Sequence, residues 1–187
     1  MTPSPVRPSW RAPMKTWHRP VHTRERHAEI PTAHGTYTLL REPGPRLTAD
    51  AKAEAWERWQ FVLDGDTVLE IDDAGLPGEG MRRRVRHGIH GRLDGVPFTA
   101  RAAGRSLRPS RRGIRFALDD GRTLSFTVHR FHRQLVRAAG GKGEVRARTR
   151  TGRWEADRLD RAELALLCLV TVAGLDRLLA SPLQEVL

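Results

Sequence analysis

Residues 160–181 read DRAELALLCLVTVAGLDRLLAS, and this stretch is the strongest indication of the fold in the sequence. From residue 164 to residue 175 every position is apolar, Gly or Thr, so no polar stripe is left to face water. A helix that is apolar all round belongs inside a protein core or a bilayer. The run is too short to span hydrocarbon, which takes about 20 residues. It therefore predicts a helix buried inside the β-structure of this same chain.

The ends of this helix are marked in the sequence. Asp160 is a suitable N-cap residue, and Glu163, three residues later, completes a pair of the capping-box type. Pro182 cannot continue a helix and helps to end it. We therefore expect a hydrophobic C-terminal helix over residues 160–180.

Short segments that alternate apolar and polar residues come before the helix. The turn sequences LDG at 63–65, LDG at 93–95 and LDDG at 118–121 each join two such segments. Asp-Gly favours the left-handed backbone of a tight hairpin. Further strands are predicted at 36–41, 85–93, 133–138, 144–150 and 153–158. The sequence thus predicts a mainly β fold, a closed antiparallel β-barrel of about ten to twelve strands with the C-terminal helix as its plug.

The N-terminal region differs from the rest of the chain. Residues 1–34 contain six prolines and few aliphatic residues, which is typical of a disordered or loosely packed arm. The barrel domain is therefore expected over residues 35–187, with one further short helix at Thr48–Trp56. The first residues lack the apolar core of a secretory signal, so we expect a cytoplasmic protein without a transmembrane segment, peripheral at the membrane if it meets one.

Charge is distributed unevenly along the chain. Residues 35–80 carry 4 Lys and Arg against 10 Asp and Glu, whereas residues 81–159 carry 21 against 6. This asymmetry indicates either an anionic partner or acidic and basic faces that neutralise each other within the fold.

The order of these features resembles a known family. A run of Asp-Gly hairpins, then GRWEAD at 152–157 and an apolar helix ending in LDRLL at 175–179, is similar to the tubby-like or LURP-one-related β-barrel family over residues 35–187. The resemblance implies a barrel closed around a C-terminal helix. It also implies membrane association or binding of phosphorylated inositol lipids, as in the better-known members. No residue-level motif for that lipid site is present, so the resemblance assigns no binding residue.

Rows of arginine are the candidate binding surface. If residues 81–89 form a strand, Arg84 and Arg86 share one face. The same alternation places Arg146, Arg148 and Arg150 together on the outside of a later strand, and a third cluster surrounds one turn with Arg108, Arg111, Arg112 and Arg115. Guanidinium groups bind phosphates of lipid or nucleic acid bidentately. The alternative is a solvated exterior on which arginine only blunts edge pairing.

Catalytic and metal-binding patterns are missing from the sequence. It has no G-x-S-x-G motif and no phosphate-binding loop. His87 with His90, and His129 with His132, are spaced by three, which would place the two rings of each pair on opposite strand faces and prevent a shared metal. The lone Cys168 allows no disulfide framework, and a buried thiol is inert. No cofactor is expected.

The sequence therefore predicts a non-catalytic binding or scaffold module with a basic surface. Anionic lipid headgroups are the favoured partner. Sequence-independent nucleic-acid binding and a protein–protein adaptor role with an acidic partner remain open alternatives.

Overall fold

A computed structural model provides the fold. It describes residues 27–180 with the exception of 33, 44–55, 77, 104–105, 107, 131, 141, 151–152 and 157–158. The predicted helix at Thr48–Trp56 falls mostly outside the described residues, and its last residue, Trp56, opens a strand.

Eleven strands form one antiparallel sheet in which each strand pairs with the next along the chain. They are β1 His27–Thr32, β2 Gly35–Pro43, β3 Trp56–Leu63, β4 Asp66–Gly75, β5 Ile89–Leu93, β6 Val96–Ala102, β7 Gly113–Leu118, β8 Thr123–His129, β9 His132–Ala139, β10 Lys142–Arg150 and β11 Arg153–Ala156. The described residues also contain the helices α1 Glu79–His87 and α2 Arg161–Val172, and the short 3₁₀ helices Pro109–Arg111 and Leu175–Leu179. The prediction of one helix over residues 160–180 is wrong at its end, because α2 ends at Val172 and the left-handed Gly174 separates it from the last 3₁₀ helix.

The prediction of a closed barrel is wrong, because the sheet is open between β1 and β11. Within the described part of the chain, β1 pairs only with β2, and β11 only with β10. Strands that alternate in direction leave the first and eleventh parallel, so a ladder between them would break the antiparallel pattern. In addition, β11 has only four residues, and Pro31 removes one N–H donor from β1.

The open sheet nevertheless curls around α2. Near one end of the sheet, the hydroxyl of Tyr37 in β2 donates to the carbonyl of Arg161 at the start of α2, over 2.7 Å. Near the other end, Arg146 in β10 donates to Glu163 in the first turn of the same helix, over 2.9 Å. Residues 162–170 are all buried. A helix covered on every side by one sheet requires that sheet to bend around it.

The Asp-Gly hairpins are confirmed. Asp64 and Asp94 have φ values of 51°, and the glycines that follow them have φ values of 89° and 76°. These left-handed conformations close the β3–β4 and β5–β6 hairpins. In an up-and-down sheet every second connection lies at the same end, so these turns share one end with the start of α2. We call this the turn end, and the opposite one the connection end.

The strand predicted at residues 85–93 is wrong in its first half, because residues 79–87 form α1. Met81 and Val85 are spaced by four and both are fully buried, which is the helical spacing. Gly75 at the end of β4 allows α1 to pack closely, since a Cβ there would lie 2.4 Å from the backbone of Gly80. The alternating pattern that begins at Ile89 does form β5.

A charge in the middle of α2 tests whether the helix is the centre of the core. Leu169 is fully buried, so Leu169→Asp places an unpaired carboxylate in an apolar interior. This costs about 5 kcal/mol, and we expect no folded soluble protein. The matched control is Val145→Asp, since the Val145 side chain is 51% exposed; its free energy of unfolding should stay within about 0.5 kcal/mol of the parent. Cooperative thermal unfolding of Leu169→Asp near the parental temperature would contradict the central position of α2.

Candidate functional site

Arginines from distant parts of the chain meet at the connection end of the sheet. They come from α1, the end of β6, the β6–β7 and β8–β9 connections, the start of β9 and the last 3₁₀ helix. We call this set the basic patch: Arg82, Arg83, Arg84, Arg86, Arg101, Arg108, Arg111, Arg112, Arg130, Arg133 and Arg177. The carboxylates that contact it in the described structure are fewer, namely Asp73, Glu79 and Asp176. The adjoining strand ends add Arg41 and Arg58 together with Glu42, Glu57 and Asp72. Among the described residues, this end still carries more arginines than carboxylates.

The turn end has a different balance. Hairpin turns contribute Asp64, Asp66, Asp94, Asp119 and Asp120. Arg161 pairs there with Asp66 at 3.4 Å and with Asp94 at 2.8 Å, and Arg122 pairs with Asp120. Acidic and basic groups thus offset each other at the turn end, and the charge asymmetry of the sequence becomes an asymmetry along the strand direction.

The two α1 arginines singled out from the sequence are held by carboxylates. Arg84 donates to the carbonyl oxygen of Asp73 over 3.0 Å and forms an ion pair with its carboxylate. Arg86 lies 3.5 Å from Glu79. Because residues 79–87 are helical, the predicted strand face carrying Arg84 and Arg86 does not exist. These side chains join α1 to β4 and to the helix's own first turn.

The arginines of the β6–β7 connection divide into two kinds. Arg108 and Arg111 are exposed at the 3₁₀ helix Pro109–Arg111. Arg112 is buried, and its Nη1 donates to the carbonyl of Leu179 over 3.3 Å. Arg108 and Arg111 are therefore open to solvent, whereas Arg112 ties this connection to the last 3₁₀ helix.

The predicted row of Arg146, Arg148 and Arg150 is not a row. Val145 pairs with Val136 and Ala147 with Leu135, so Arg146 is the extra residue of a β-bulge. The bulge turns its side chain toward the start of α2 at the turn end. Arg148 is exposed and lies opposite Glu155, and the Arg150 side chain lies outside the described structure.

The contact made by Arg146 is a structural clamp. Glu163 is almost fully buried. Its Oε1 lies 2.9 Å from Arg146 Nε and 3.3 Å from Arg137 Nη1. Its other oxygen accepts the backbone N–H of Asp160 over 3.0 Å, and Asp160 accepts the N–H of Glu163 over 2.8 Å. The predicted capping pair is thus present. The hydrogen bond to Glu163 is the main reason that the pKa of Arg146 is raised.

Strand pairing reveals two arginines that the sequence did not single out as a pair. Arg101 in β6 lies directly opposite Arg115 in β7, and both are exposed. The register of β6 and β7 depends on how the chain folds between residues 102 and 113, which residue spacing alone does not specify.

Apolar and aromatic side chains are distributed unequally over the surface. Leu76, between β4 and α1 at the connection end, is 38% exposed. Every aromatic side chain in the described structure is buried: Tyr37, Trp59, Phe61, Phe98, Phe116, Phe126 and Trp154. Val145, toward the turn end, is 51% exposed. The described part of the surface therefore offers one exposed aliphatic side chain beside the basic patch, another toward the opposite end, and no aromatic ring for stacking.

The histidine pairs differ from the prediction in one respect. His129 lies opposite His132 across the β8–β9 turn, so these two rings share a face of the sheet; the opposite-face prediction is wrong for this pair. His132 Nδ1 lies 2.8 Å from the carbonyl oxygen of Thr149. No group of three or more His, Cys, Asp or Glu side chains is arranged to hold a metal among the residues that the structure describes.

Two buried groups have strongly raised pKa values. Burial raises the pKa of the Cys168 thiol to about 12, and burial is also the main cause of the raised pKa of Tyr37. Both groups stay protonated at neutral pH, so Cys168 is no thiolate nucleophile and Tyr37 remains a hydrogen-bond donor to α2.

Comparison with protein-family models, with curated proteins and with solved structures found no match. Within the described residues, neither helix has the length and apolar character needed to cross a bilayer.

Substitution of Arg146 tests whether its contact with Glu163 stabilises the fold more than an exposed arginine on the same strand does. Arg146→Ser removes a charged hydrogen bond to buried Glu163 and should lower the free energy of unfolding by about 2 kcal/mol. Arg148→Ser is the matched control on the same strand, and its effect should stay within about 0.5 kcal/mol because exposed ion pairs contribute little. Urea denaturation measures both. Equal effects of the two substitutions on the free energy of unfolding would contradict a stabilising role of the Arg146–Glu163 contact.

The raised pKa of Cys168 predicts an unreactive thiol. In native protein at pH 8, iodoacetamide should leave Cys168 unmodified, because thiolate is nearly absent and the side chain is buried. In urea the same thiol should react as an ordinary cysteine. Mass spectrometry of the two samples measures the modified fraction, and rapid labelling of the native protein would contradict the burial of α2.

Proposed function

We propose that this chain is a non-catalytic binding module that attaches to an anionic lipid surface through the basic patch. The observation that carries the proposal is the convergence of exposed arginines at one end of the sheet, with few carboxylates to neutralise them. Arg108, Arg111 and Arg130 are exposed at that end, on connections that project beyond the strands.

The energies are sufficient for reversible attachment. Each basic residue near an anionic bilayer contributes about 1 kcal/mol, and the attraction acts within a Debye length. Arginines that lie at one end of the sheet can approach a flat surface together, whereas arginines spread around its outer face could not. The proposal therefore rests on the placement of the charge more than on the net charge of +11.

Two observations favour lipid over nucleic acid. Leu76 is exposed beside the basic patch, and an apolar side chain flanked by cations suits the boundary between headgroups and acyl chains. Proteins that bind single-stranded nucleic acid stack bases on exposed aromatic rings, and the described aromatic side chains are all buried.

The tubby-like resemblance supports the same partner. An up-and-down sheet curled around an apolar C-terminal helix is consistent with membership, and members of that family associate with membranes. The sheet departs from the family pattern because it is open, so membership remains a proposal.

Two double variants with equal loss of charge test the proposal in vesicle co-sedimentation. Arg108→Ser with Arg111→Ser removes two exposed charges of the basic patch, and at about 1 kcal/mol each should weaken binding to vesicles containing phosphatidylserine about 30-fold. Arg92→Ser with Lys142→Ser is the control, because both side chains are exposed near the turn end. The control should bind like the parent, and neither protein should bind neutral vesicles.

Equal loss in both double variants would show that net charge rather than the basic patch drives binding. A mobility shift with single-stranded RNA at the same salt concentration provides the second arm. Binding to RNA without binding to anionic vesicles would overturn the lipid proposal in favour of nucleic acid.

A further inference from the structure

The first residues of β10 have a strand neighbour on one side only. Residues 142–145 pair with β9, whereas the pairing of β10 with β11 begins at Ala147. All four residues are exposed, and the Val145 side chain is 51% exposed. Among the described strands, this stretch at the turn end is therefore an open sheet edge, which we call the free edge.

The backbone groups of two residues point away from β9 at the free edge. The pair Ala139–Lys142 closes a two-residue turn, in which Gly140 has the left-handed φ of 59° that such a turn favours. The closing pair of a two-residue hairpin is hydrogen-bonded, and hydrogen-bonded pairs then alternate along the ladder. The N–H and C=O groups of Gly143 and Val145 are thus directed outward, where a further strand can bind them.

The free edge is complementary to itself in charge. When two copies pair antiparallel with Gly143 on the two-fold axis, Lys142 of each copy lies directly opposite Glu144 of the other. Opposite charges in this position stabilise a strand pair. Glu144 contacts Arg146, yet its side chain remains 59% exposed, so it can reach a second cation. Gly143 carries no side chain that would have to pack at the axis.

The length of the free edge limits the association to two copies. The bulge at Arg146 and the start of the β11 ladder at Ala147 end it. A two-fold axis uses the free edge of each copy once, which closes the assembly and prevents fibres. The basic patches lie about 25 Å from the axis along the strands, so the repulsion between them is largely screened at physiological salt.

Pairing at the turn end directs the two basic patches in opposite directions. The two-fold axis reverses the strand direction of the second copy, and in each copy the basic patch lies at the connection end. From the rise per residue of a strand, the two patches are about 50 Å apart. A flat surface can meet only one of them, so the dimer presents its basic patches to two separate surfaces.

We propose that two copies of this chain associate through the free edges of β10 and thereby join two anionic membranes. The joining of membranes rests on the proposed function, because each membrane is held by a basic patch. An interface of so few residues is weak, with a dissociation constant on the order of 100 µM. Copies already bound to two facing membranes associate more readily, because their effective concentration is raised.

Sedimentation velocity at concentrations up to the millimolar range tests the interface. The parent should show a concentration-dependent equilibrium between monomer and dimer. Lys142→Glu alone and Glu144→Lys alone place like charges opposite each other, and each should weaken dimerisation about tenfold. An equimolar mixture of these two variants restores both opposite-charge pairs and should dimerise like the parent. A parent that stays monomeric at every concentration, or no gain on mixing the variants, overturns the interface.

Cross-linking provides a second measurement that does not depend on the charge variants. Residues that face each other in a hydrogen-bonded pair have Cα atoms about 5.5 Å apart, which suits a disulfide. Because Cys168 is buried, Gly143→Cys should form a covalent dimer in air, whereas Arg148→Cys, exposed on the same strand, should stay monomeric. Equal cross-linking of the two variants, or none in Gly143→Cys, contradicts a two-fold axis at Gly143.

The turbidity of vesicles containing phosphatidylserine measures the joining of membranes. The parent should cluster such vesicles, and Glu144→Lys should cluster them about tenfold less well at equal protein concentration. Glu144→Lys gains positive charge, so its loss of clustering cannot come from weaker binding to an anionic surface. No clustering by the parent, or equal clustering by Glu144→Lys, overturns the joining of two membranes.

The failures of the two proposals are distinguishable. Co-sedimentation that depends on Arg108 and Arg111, combined with a monomeric protein and unclustered vesicles, overturns this inference and leaves the proposed function standing. Dimerisation through Gly143 without any binding to anionic vesicles overturns the lipid proposal and supports the interface between copies.

Discussion

The fold depends on the burial of α2 by a single sheet. A helix with no polar face must be covered on every side, and one antiparallel sheet can do so only by bending until strands from both of its ends contact the same helix. The hydrogen bond from Tyr37 and the ion pairs from Arg137 and Arg146 mark where this happens. All of them meet at the first turn of α2, so the start of the helix fixes the curvature of the sheet.

The burial of α2 also determines which arginines are used to stabilise the fold and which are exposed. Arginines near the start of α2 are used to satisfy Glu163 and Asp160 at the turn end. At the connection end, the chain must cross between strands in longer segments, and these carry α1 and the 3₁₀ helix Pro109–Arg111. Arg108 and Arg111 on these segments are exposed, whereas Arg112 is buried and Arg84 and Arg86 pair with carboxylates. The strand topology thus divides the arginines of residues 81–159 between the turn end, where carboxylates offset them, and the connection end, where they are in excess among the described residues.

Sequence patterns predicted those local elements that have a local physical cause. They did not predict β1, which lies at His27–Thr32 inside the expected N-terminal arm. The Asp-Gly turns, the Asp160–Glu163 capping pair and the apolar character of α2 are all encoded within a few residues. The end of α2 was placed too late, because the apolar run continues past Val172 into a separate 3₁₀ helix. The predictions of arginine rows were wrong where contacts between residues distant in sequence determine the local structure. The bulge at Arg146 arises from pairing with β9, and the helical state of residues 79–87 arises because Met81 and Val85 pack into the core while Gly75 admits the α1 backbone. Sheet closure likewise depends on non-local features: the relative direction of the first and last strands, the short β11 and Pro31 in β1.

Site-specific fluorescence on vesicles tests the central claim, that the connection end is the face that meets an anionic surface. Because Cys168 is buried and inert, one engineered cysteine can be labelled with an environment-sensitive dye at Leu76, beside the basic patch, or at Lys142, at the turn end. On vesicles containing phosphatidylserine, the dye at residue 76 should shift to shorter wavelength while the dye at residue 142 stays unchanged. An equal shift at both positions, or a shift at residue 142 alone, would contradict the account.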